Sequence, residues 1–456
     1  MTNREPHLVN TTTDGPRSSG KYRFRDNVTV VWLVIAVLAP AGIAFWILHR
    51  QQFSLPYQDD YGAILEFASE YHQLPSLPAK LLHVATQQDN DYKLGFAHSI
   101  IAMEIDLTGH LNFGFLITFG NLFLLAIAYL LWRIYRREEL SLNRQLIQFL
   151  PISLLFFSLT YWETLNWAMA SLQNLPVIFF SLLSIYLLIP QTGDELSAMR
   201  LVAGCIAAIL ASMSSANGFL LGPIGLFILW RRRALVRSVI WCVAFLVPVA
   251  AYLYHYHPYQ FSVGTVHNGA YVAKAAYFLA FLGCAIQKRV LAALAGLGAT
   301  IVFGLALWDR FDLKNPRAFY STVWVVMTAA LVGFLRQTIA SRYSIYSLLV
   351  LIFCYSFLVQ FVHRRMPLVK QNWFSAASVL LGLSFCLLSD KQANLNLKER
   401  RQMVVAGMEH YRADPEINAP TINPELLKYH PDEPTAERII LNKAIHDRIY
   451  SPALAR

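Results

Sequence analysis

Charged side chains are scarce in this sequence. Only 14% of its 456 residues are Asp, Glu, Lys or Arg, whereas 56% are hydrophobic, and the mean hydropathy is +0.41. This composition leaves too much apolar surface for one soluble core and too few charges to solvate it. It excludes an ordinary soluble domain and predicts an all-α, polytopic integral membrane protein.

Several common signatures are also missing. The five cysteines lie in separate apolar stretches, without the spacing of a disulfide framework or a zinc site. No glycine-rich phosphate loop or dinucleotide fingerprint is present. Residues 1–27 contain no apolar run, so we expect them to form a cytoplasmic tail rather than a cleaved signal peptide.

Long apolar runs are abundant. Eleven of them, of about 15 to 22 residues, are long enough for helices that satisfy their own backbone hydrogen bonds in a bilayer. A twelfth candidate at 271–287 contains Lys274 and runs into Lys288 and Arg289, so it either spans the membrane or lies at its surface. We therefore expect a transmembrane domain of 11 to 12 helices over 28–389. The eleven runs lie at 28–48, 111–132, 145–162, 172–190, 197–214, 216–230, 236–254, 290–308, 318–338, 343–362 and 371–389.

Positive charge beside these runs predicts the orientation. Lys and Arg are concentrated in the N-terminal tail and in 133–144 and 231–237, which the positive-inside rule places in the cytoplasm. The loop 49–110 then faces outward, and it is acidic, with eight Asp or Glu against three Lys or Arg. The net charge of +10 reflects this bias, so we expect no nucleic-acid partner.

The second half of the chain leaves the topology open. If 271–287 does not cross, six basic residues fall inside: Arg310, Lys314, Arg317, Arg364, Arg365 and Lys370. If it crosses, seven others do: Lys288, Arg289, Arg342, Lys391, Lys398, Arg400 and Arg401. Charge alone therefore does not place the small polar C-terminal tail, 390–456.

Paired carboxylates follow the first predicted crossing. The stretch SLPYQDDYGAILEF (54–67) contains Asp59 and Asp60. Either acid could cap the amphipathic helix that follows, whose apolar spacing predicts a helix in the membrane interface. A carboxylate there could equally act as a general base toward an acceptor hydroxyl or help to hold a divalent cation.

A second acidic group lies further along the same loop. The triplet at 89–91 is either a solvated turn or part of one outer cavity, in which Asp89 and Asp91 join the first pair and Lys93 contacts the substrate. Four carboxylates would suit Mg²⁺ or Mn²⁺, although the sequence fixes no cofactor.

Aromatic and polar residues alternate in TYWETLNWAMASLQN (160–174). Trp and Tyr are expected as an aromatic belt at a bilayer edge. An ionisable group at membrane depth usually faces a water-filled functional cavity, and rings beside amides suit the mixed faces of a sugar. Trp162, Glu163 and Asn166 are therefore candidate substrate-binding residues.

Arg342 stands at the start of an apolar run, in TIASRYSIYS (338–347). It is either a snorkelling arginine that sets the topology or a guanidinium that clamps a phosphate. Lys288 and Arg289 could bind the same phosphate if 271–287 lies at the surface.

These stretches together resemble the GT-C superfamily of membrane glycosyltransferases, and within it bacterial polytopic proteins. The resemblance covers most of the chain as a pattern, and QQDNDYKLG (87–95) departs from the Asn-Glu-His-Arg type of cluster that related proteins often have there. Its other carrying segments are YQDDYGAILEF (57–67), NWAMASLQNLPVIFFSLLSIYLL (166–188), SSANGFLLGPIGLFIL (214–229), AYFLAFLGCAIQ (276–287) and ASRYSIYSLL (340–349).

The resemblance implies transfer of a sugar from a polyprenyl-phosphate carrier to a glycan, lipid or protein acceptor on the outer face of a bacterial inner membrane. It implies a first-loop carboxylate, Asp59 or Asp60, as the base, and Arg342 as a stabiliser of the departing phosphate. A flippase for lipid-linked glycans would show paired inverted halves, which are not evident. A polymerase or ligase of surface polysaccharide would favour a large outer loop late in the chain.

A shared site requires Arg342 on the same face as Asp59. We therefore expect 271–287 to be interfacial, with eleven crossings and the tail outside. A single cysteine at position 342, in a chain whose native cysteines are replaced, should react with a membrane-impermeant maleimide from the outer face. Reaction only from the cytoplasmic face would contradict this topology.

Overall fold

Helices make up most of the part of the chain that the structure describes. The structure, a computed structural model, describes residues 19–89, 92–190, 195–257, 270–335, 339–417 and 435–452, so most of the predicted N-terminal tail lies outside it. In these ranges the only strands are β1 Gln88–Asp89 and β2 Tyr92–Lys93, which pair in antiparallel register. The all-α prediction is confirmed.

The α-helices are α1 Ser19–Gln51, α2 Phe67–Gln73, α3 Leu77–Thr86, α4 Gly95–Thr108, α5 Phe113–Tyr135, α6 Leu142–Phe156, α7 Trp162–Leu165, α8 Ala168–Leu188, α9 Ala198–Ser214, α10 Leu221–Arg231, α11 Leu235–Leu253, α12 Ala270–Leu282, α13 Arg289–Trp308, α14 Phe311–Lys314, α15 Pro316–Leu335, α16 Ser344–Arg365, α17 Leu368–Ala413 and α18 Ala436–His446. A π-helix covers Tyr61–Glu66, and 3₁₀ turns cover Leu159–Tyr161, Ala216–Leu220 and Ser341–Tyr343.

Each of the eleven predicted crossings coincides with a helix. Among the described residues, eight helical segments are long and apolar enough to span a membrane: Val28–Gln51, Phe113–Tyr135, Leu142–Leu165, Ala168–Leu188, Leu235–Leu253, Arg289–Trp308, Ser341–Arg365 and Leu368–Ala413. The described part of α12 has 13 residues, about 20 Å, which is short of the roughly 30 Å of a bilayer core. The chain is thus a polytopic helical protein, and the number of crossings stays a prediction.

Charged residues gather at two ends of the helical assembly. At one end, Arg231 forms an ion pair with Asp312 (2.8 Å), and Arg364 forms one with Asp309 (2.7 Å). The guanidiniums of Arg133 and Arg317 lie against the ring of Tyr186 at the same end. Helix α16 runs from this basic end for 22 residues, about 33 Å, to a second end where Arg342 meets Glu163 and the outer loop. Whether 271–287 crosses the membrane stays a prediction.

A second hydrophobic core lies beyond the helical assembly at the Arg342 end. It contains apolar residues of the loop between α1 and α5, of the first turn of α8, and of the end of α17 and α18. Tyr61, Ile64 and Leu65 are each at most 1% exposed in this core. The prediction that their helix presents its apolar face to the membrane is wrong, because protein covers that face. Sequence spacing reveals an apolar face but not what covers it.

Helix α3 has the exposed apolar face that was predicted for the preceding helix. Leu77, Leu81 and Leu82 are 67%, 60% and 49% exposed. They follow Ser76, whose hydroxyl accepts from the backbone N–H of Ala79 and begins the helix. An apolar face of this kind is typical of a helix at a lipid surface.

The C-terminal tail is part of the second core rather than a separate unit. Helix α17 continues without a break past residue 390, where the tail was expected to begin. The Tyr450 hydroxyl donates to the carbonyl of Ser54 (3.2 Å), and the backbone N–H of Leu111 donates to the carbonyl of Ile449 (2.8 Å). The end of the chain therefore closes over its first loop.

Leu441→Ala in α18 should destabilise this closure, because Leu441 is fully buried. We expect a loss of about 2 to 5 kcal/mol, the usual cost of a buried Leu-to-Ala change. The matched control is Ile439→Ala on the same helix, since Ile439 is 56% exposed. Thermal unfolding in detergent, followed by intrinsic fluorescence, should show a lower midpoint for the first variant alone. Equal midpoints would contradict the packing.

Candidate functional site

Asp60 ties the start of the outer loop to helix α8. Its Oδ2 accepts from the backbone N–H of Tyr57 (3.0 Å), and its Oδ1 accepts from that of Met169 (2.8 Å). Met169 lies in the first turn of α8, where backbone N–H groups have no partner within the helix. Asp60 makes no capping hydrogen bond to its own following helix. For Asp60, the prediction that it caps the helix that follows is wrong, because its carboxylate accepts from the start of a helix more than a hundred residues away.

Burial changes the acidity of Asp60. The side chain is 1% exposed, and burial raises its pKa to about 8. The two backbone hydrogen bonds act in the opposite direction, and the neighbouring charge of Asp59 adds to the rise. Asp60 is therefore largely protonated at neutral pH. With both oxygens engaged and no solvent contact, it is placed to hold the loop in position.

Asp59 occupies a different environment. The backbone N–H of Asp60 donates to the carbonyl of Tyr57 (3.1 Å), and Gln58 between them adopts a left-handed conformation at φ 47°. A non-glycine residue adopts that conformation at an energetic cost, so the turn is strained. Asp59 remains half-buried and lies within electrostatic reach of Arg342. The two adjacent acids thus have separate surroundings.

Glu163 joins three distant parts of the chain. Its Oε2 accepts from the hydroxyl of Ser341 (2.5 Å) and from the backbone N–H of Arg342 (3.2 Å). Its Oε1 accepts from Nη2 of Arg400 (3.4 Å). The one-turn helix α7 presents this carboxylate to the 3₁₀ turn that precedes α16.

Guanidinium groups alternate with aromatic rings beside Glu163. Arg342 lies 5.2 Å from the ring centre of Trp167, and Trp167 meets Tyr57 edge to face at 5.5 Å. Arg400 lies 4.3 Å from the ring of Tyr57 and 4.4 Å from that of Trp162. We call these five residues the cation–aromatic row. Ring faces attract cations, so these contacts stabilise each guanidinium beside its aromatic neighbours.

Arg400 is a further residue of this site. In the sequence its positive charge bears only on the side of the membrane on which the tail lies. Arg400 is 7% exposed, and its Nη1 is buried without a hydrogen-bond partner, although the Tyr57 hydroxyl acts on it electrostatically. A sequence signal was present. The buried residues of this part of α17 recur at helical spacing, and Arg400 is one of them: Ala393, Leu397, Arg400, Val404, Met408 and Tyr411.

Three of the predicted basic residues lie apart from this cluster. Lys93 is buried and donates to the carbonyls of Ala251 (3.3 Å) and Tyr254, so it caps the end of α11, and burial lowers its pKa. Lys288 and Arg289 are exposed at the turn between α12 and α13. No ion pair or hydrogen bond between described residues connects these two to Glu163.

Three other residues were predicted to bind substrate: Asp89, Asp91 and Asn166. Asp89 approaches the helix after the acid pair closely, because a Cβ on Gly62 would lie 2.6 Å from its Oδ1. Asp91 lies outside the described residues. Asn166 is buried, and its Nδ2 has no hydrogen-bond partner. Within the described ranges, no group of three His, Cys, Asp or Glu side chains could hold a metal ion.

No protein-family model, curated protein or solved structure matches this chain. The chemistry of the cluster is therefore interpreted from its own residues.

The pKa of Asp60 predicts how stability depends on pH. The folded protein binds this proton more tightly than the unfolded chain, whose Asp titrates near 3.8, so deprotonation favours unfolding. The stabilising contribution should be complete below about pH 4 and should disappear as the pH rises toward 8. Thermal midpoints of the wild-type protein should fall over this range. Asp60→Asn should make the slope shallower but not flat, because Glu66 and Glu104 also have raised pKa values, and Glu399→Gln, an exposed acid, should keep the wild-type slope. An unchanged slope in Asp60→Asn would contradict the assignment.

Proposed function

We propose that this protein is a GT-C type membrane glycosyltransferase. It moves a sugar from a polyprenyl-phosphate-linked donor to a glycan, lipid or protein acceptor on the outer face of a bacterial inner membrane. The observation that supports this best is the meeting of Asp59, Glu163 and Arg342 at one end of an apolar helical assembly. Eleven crossings, with the first loop and the tail outside, belong to the same proposal.

A lipid-linked donor suits the position of the cluster. Its apolar tail can stay in the bilayer, so the protein needs no nucleotide-binding fold, only a polar site beside the ends of its helices. Arg342 lies in the turn just before the first residue of α16. The N–H groups of its planar guanidinium match the oxygens of a phosphate.

Asp59 is the better candidate for the base. It is half-buried, whereas both oxygens of Asp60 already accept backbone hydrogen bonds. Asp59 takes the proton of an acceptor hydroxyl as the new glycosidic bond forms. The bond between the sugar and the phosphate oxygen breaks, and the phosphate leaves with its electron pair. Such a base contributes about 10² to 10⁴ in rate, and charge stabilisation of the phosphate adds a further term.

Aromatic rings beside the charged groups suit the sugar. Trp162 is half-buried at the edge of the cation–aromatic row, whereas Trp167 is 1% exposed within it. An exposed ring face can pack on the apolar face of a pyranose while charged neighbours meet its hydroxyls. Trp162 is therefore the ring in position to contact a substrate.

Asp59→Asn should abolish transfer without lowering the thermal midpoint. The site does not specify the sugar, so the measurement is mass spectrometry of surface glycans from cells that lack the protein. These glycans should lack one sugar. Expression of the wild-type gene or of the Glu399→Gln control in the same cells should restore it. Restoration by Asp59→Asn at the wild-type level would contradict the role of this carboxylate as base.

A further inference from the structure

One carboxylate acts on two guanidinium groups in this site: Glu163 accepts from Nη2 of Arg400 and attracts the guanidinium of Arg342 at longer range. Arg342 forms no ion pair within 4.0 Å among the described residues, and Tyr343, Glu163 and Asp59 act on its guanidinium electrostatically. Arg400 has one ion pair, to Glu163 at 3.4 Å, and an interaction with the Tyr57 hydroxyl, while its Nη1 is buried without a hydrogen-bond partner. Burying a cation with incomplete pairing is costly, so a further anionic partner would stabilise the cluster.

Glu163 shows which donors an anion meets there. Its two oxygens receive a hydroxyl, a backbone N–H and a guanidinium. A phosphate has more oxygens than a carboxylate and could accept from these donors and also from the free Nη1 of Arg400. The rings of Tyr57 and Trp162 both contact the Arg400 guanidinium and restrict it, so little side-chain freedom is lost on binding.

We propose that Arg400 and Arg342 together bind the phosphate of the lipid-linked donor, and that the phosphate displaces Glu163 from Arg400. This inference rests on the donor class of the proposed function and extends it to the C-terminal helix. Arg400 is then a phosphate-binding residue, and Glu163 is a competing internal anion that keeps the two guanidiniums together.

The test is a titration of the purified full-length protein in lipid nanodiscs with a ten-carbon isoprenyl monophosphate. Arg400→Gln should bind about 10- to 100-fold more weakly, the loss expected for a charge-assisted contact. Lys398→Gln, an exposed cation on the same helix, should bind like the wild type. Glu163→Gln keeps an acceptor for Ser341 and Arg342 but removes the competing charge, so it should bind about tenfold more tightly. A misfolded variant could not show that gain.

The outcomes separate this inference from the proposed function. Wild-type affinity in Arg400→Gln, or weaker binding in Glu163→Gln, would overturn the inference and leave Asp59-dependent transfer intact. The expected binding pattern without loss of any surface sugar would support the phosphate site and refute the transferase. Inorganic phosphate is the second probe: equal affinity for it would assign the two guanidiniums to free phosphate and overturn the lipid donor. A wild-type protein that binds neither probe would overturn the inference together with the donor class.

Discussion

The carboxylate of Glu163 is the interaction on which the site depends. It connects a one-turn helix to Ser341 and Arg400, which lie 178 and 237 residues further along the chain. Arg400 is buried and Arg342 is half-buried beside this carboxylate, so its negative charge offsets part of the cost of placing two cations in a poorly solvated place. The position of the last long helix over the first loop therefore depends on electrostatics as well as on apolar burial.

Much of the fold could be predicted from the sequence because the bilayer imposes a length on each helix. All eleven apolar runs coincide with helices, and the exposed leucines of α3 show why a further prediction failed. Apolar residues at helical spacing occur both in Tyr61–Glu66 and in α3, but protein covers the first and not the second. Periodicity is a local property, whereas the identity of the covering partner depends on chain segments that are far apart in sequence.

The site was predictable only in part for the same reason. Asp59, Glu163 and Arg342 attract attention as charges beside apolar runs, and the structure brings them together. The bond from Asp60 to Met169 and the insertion of Arg400 involve partners that no local pattern connects. Lys93 is an example of a local pattern that misleads. Its charge beside acidic residues suggested a substrate contact, but its ammonium group donates to a carbonyl at the end of α11.

The second hydrophobic core combines early and late parts of the chain, and this has a consequence for biogenesis. The first loop leaves the ribosome early, but residues that complete its hydrophobic core, such as Leu441 and Tyr450, are synthesised last. The first loop must therefore wait, with apolar surface uncovered, until these later residues have been made. A ribosome that stops before residue 400 would release a chain that has most of its apolar helices but cannot close this second core.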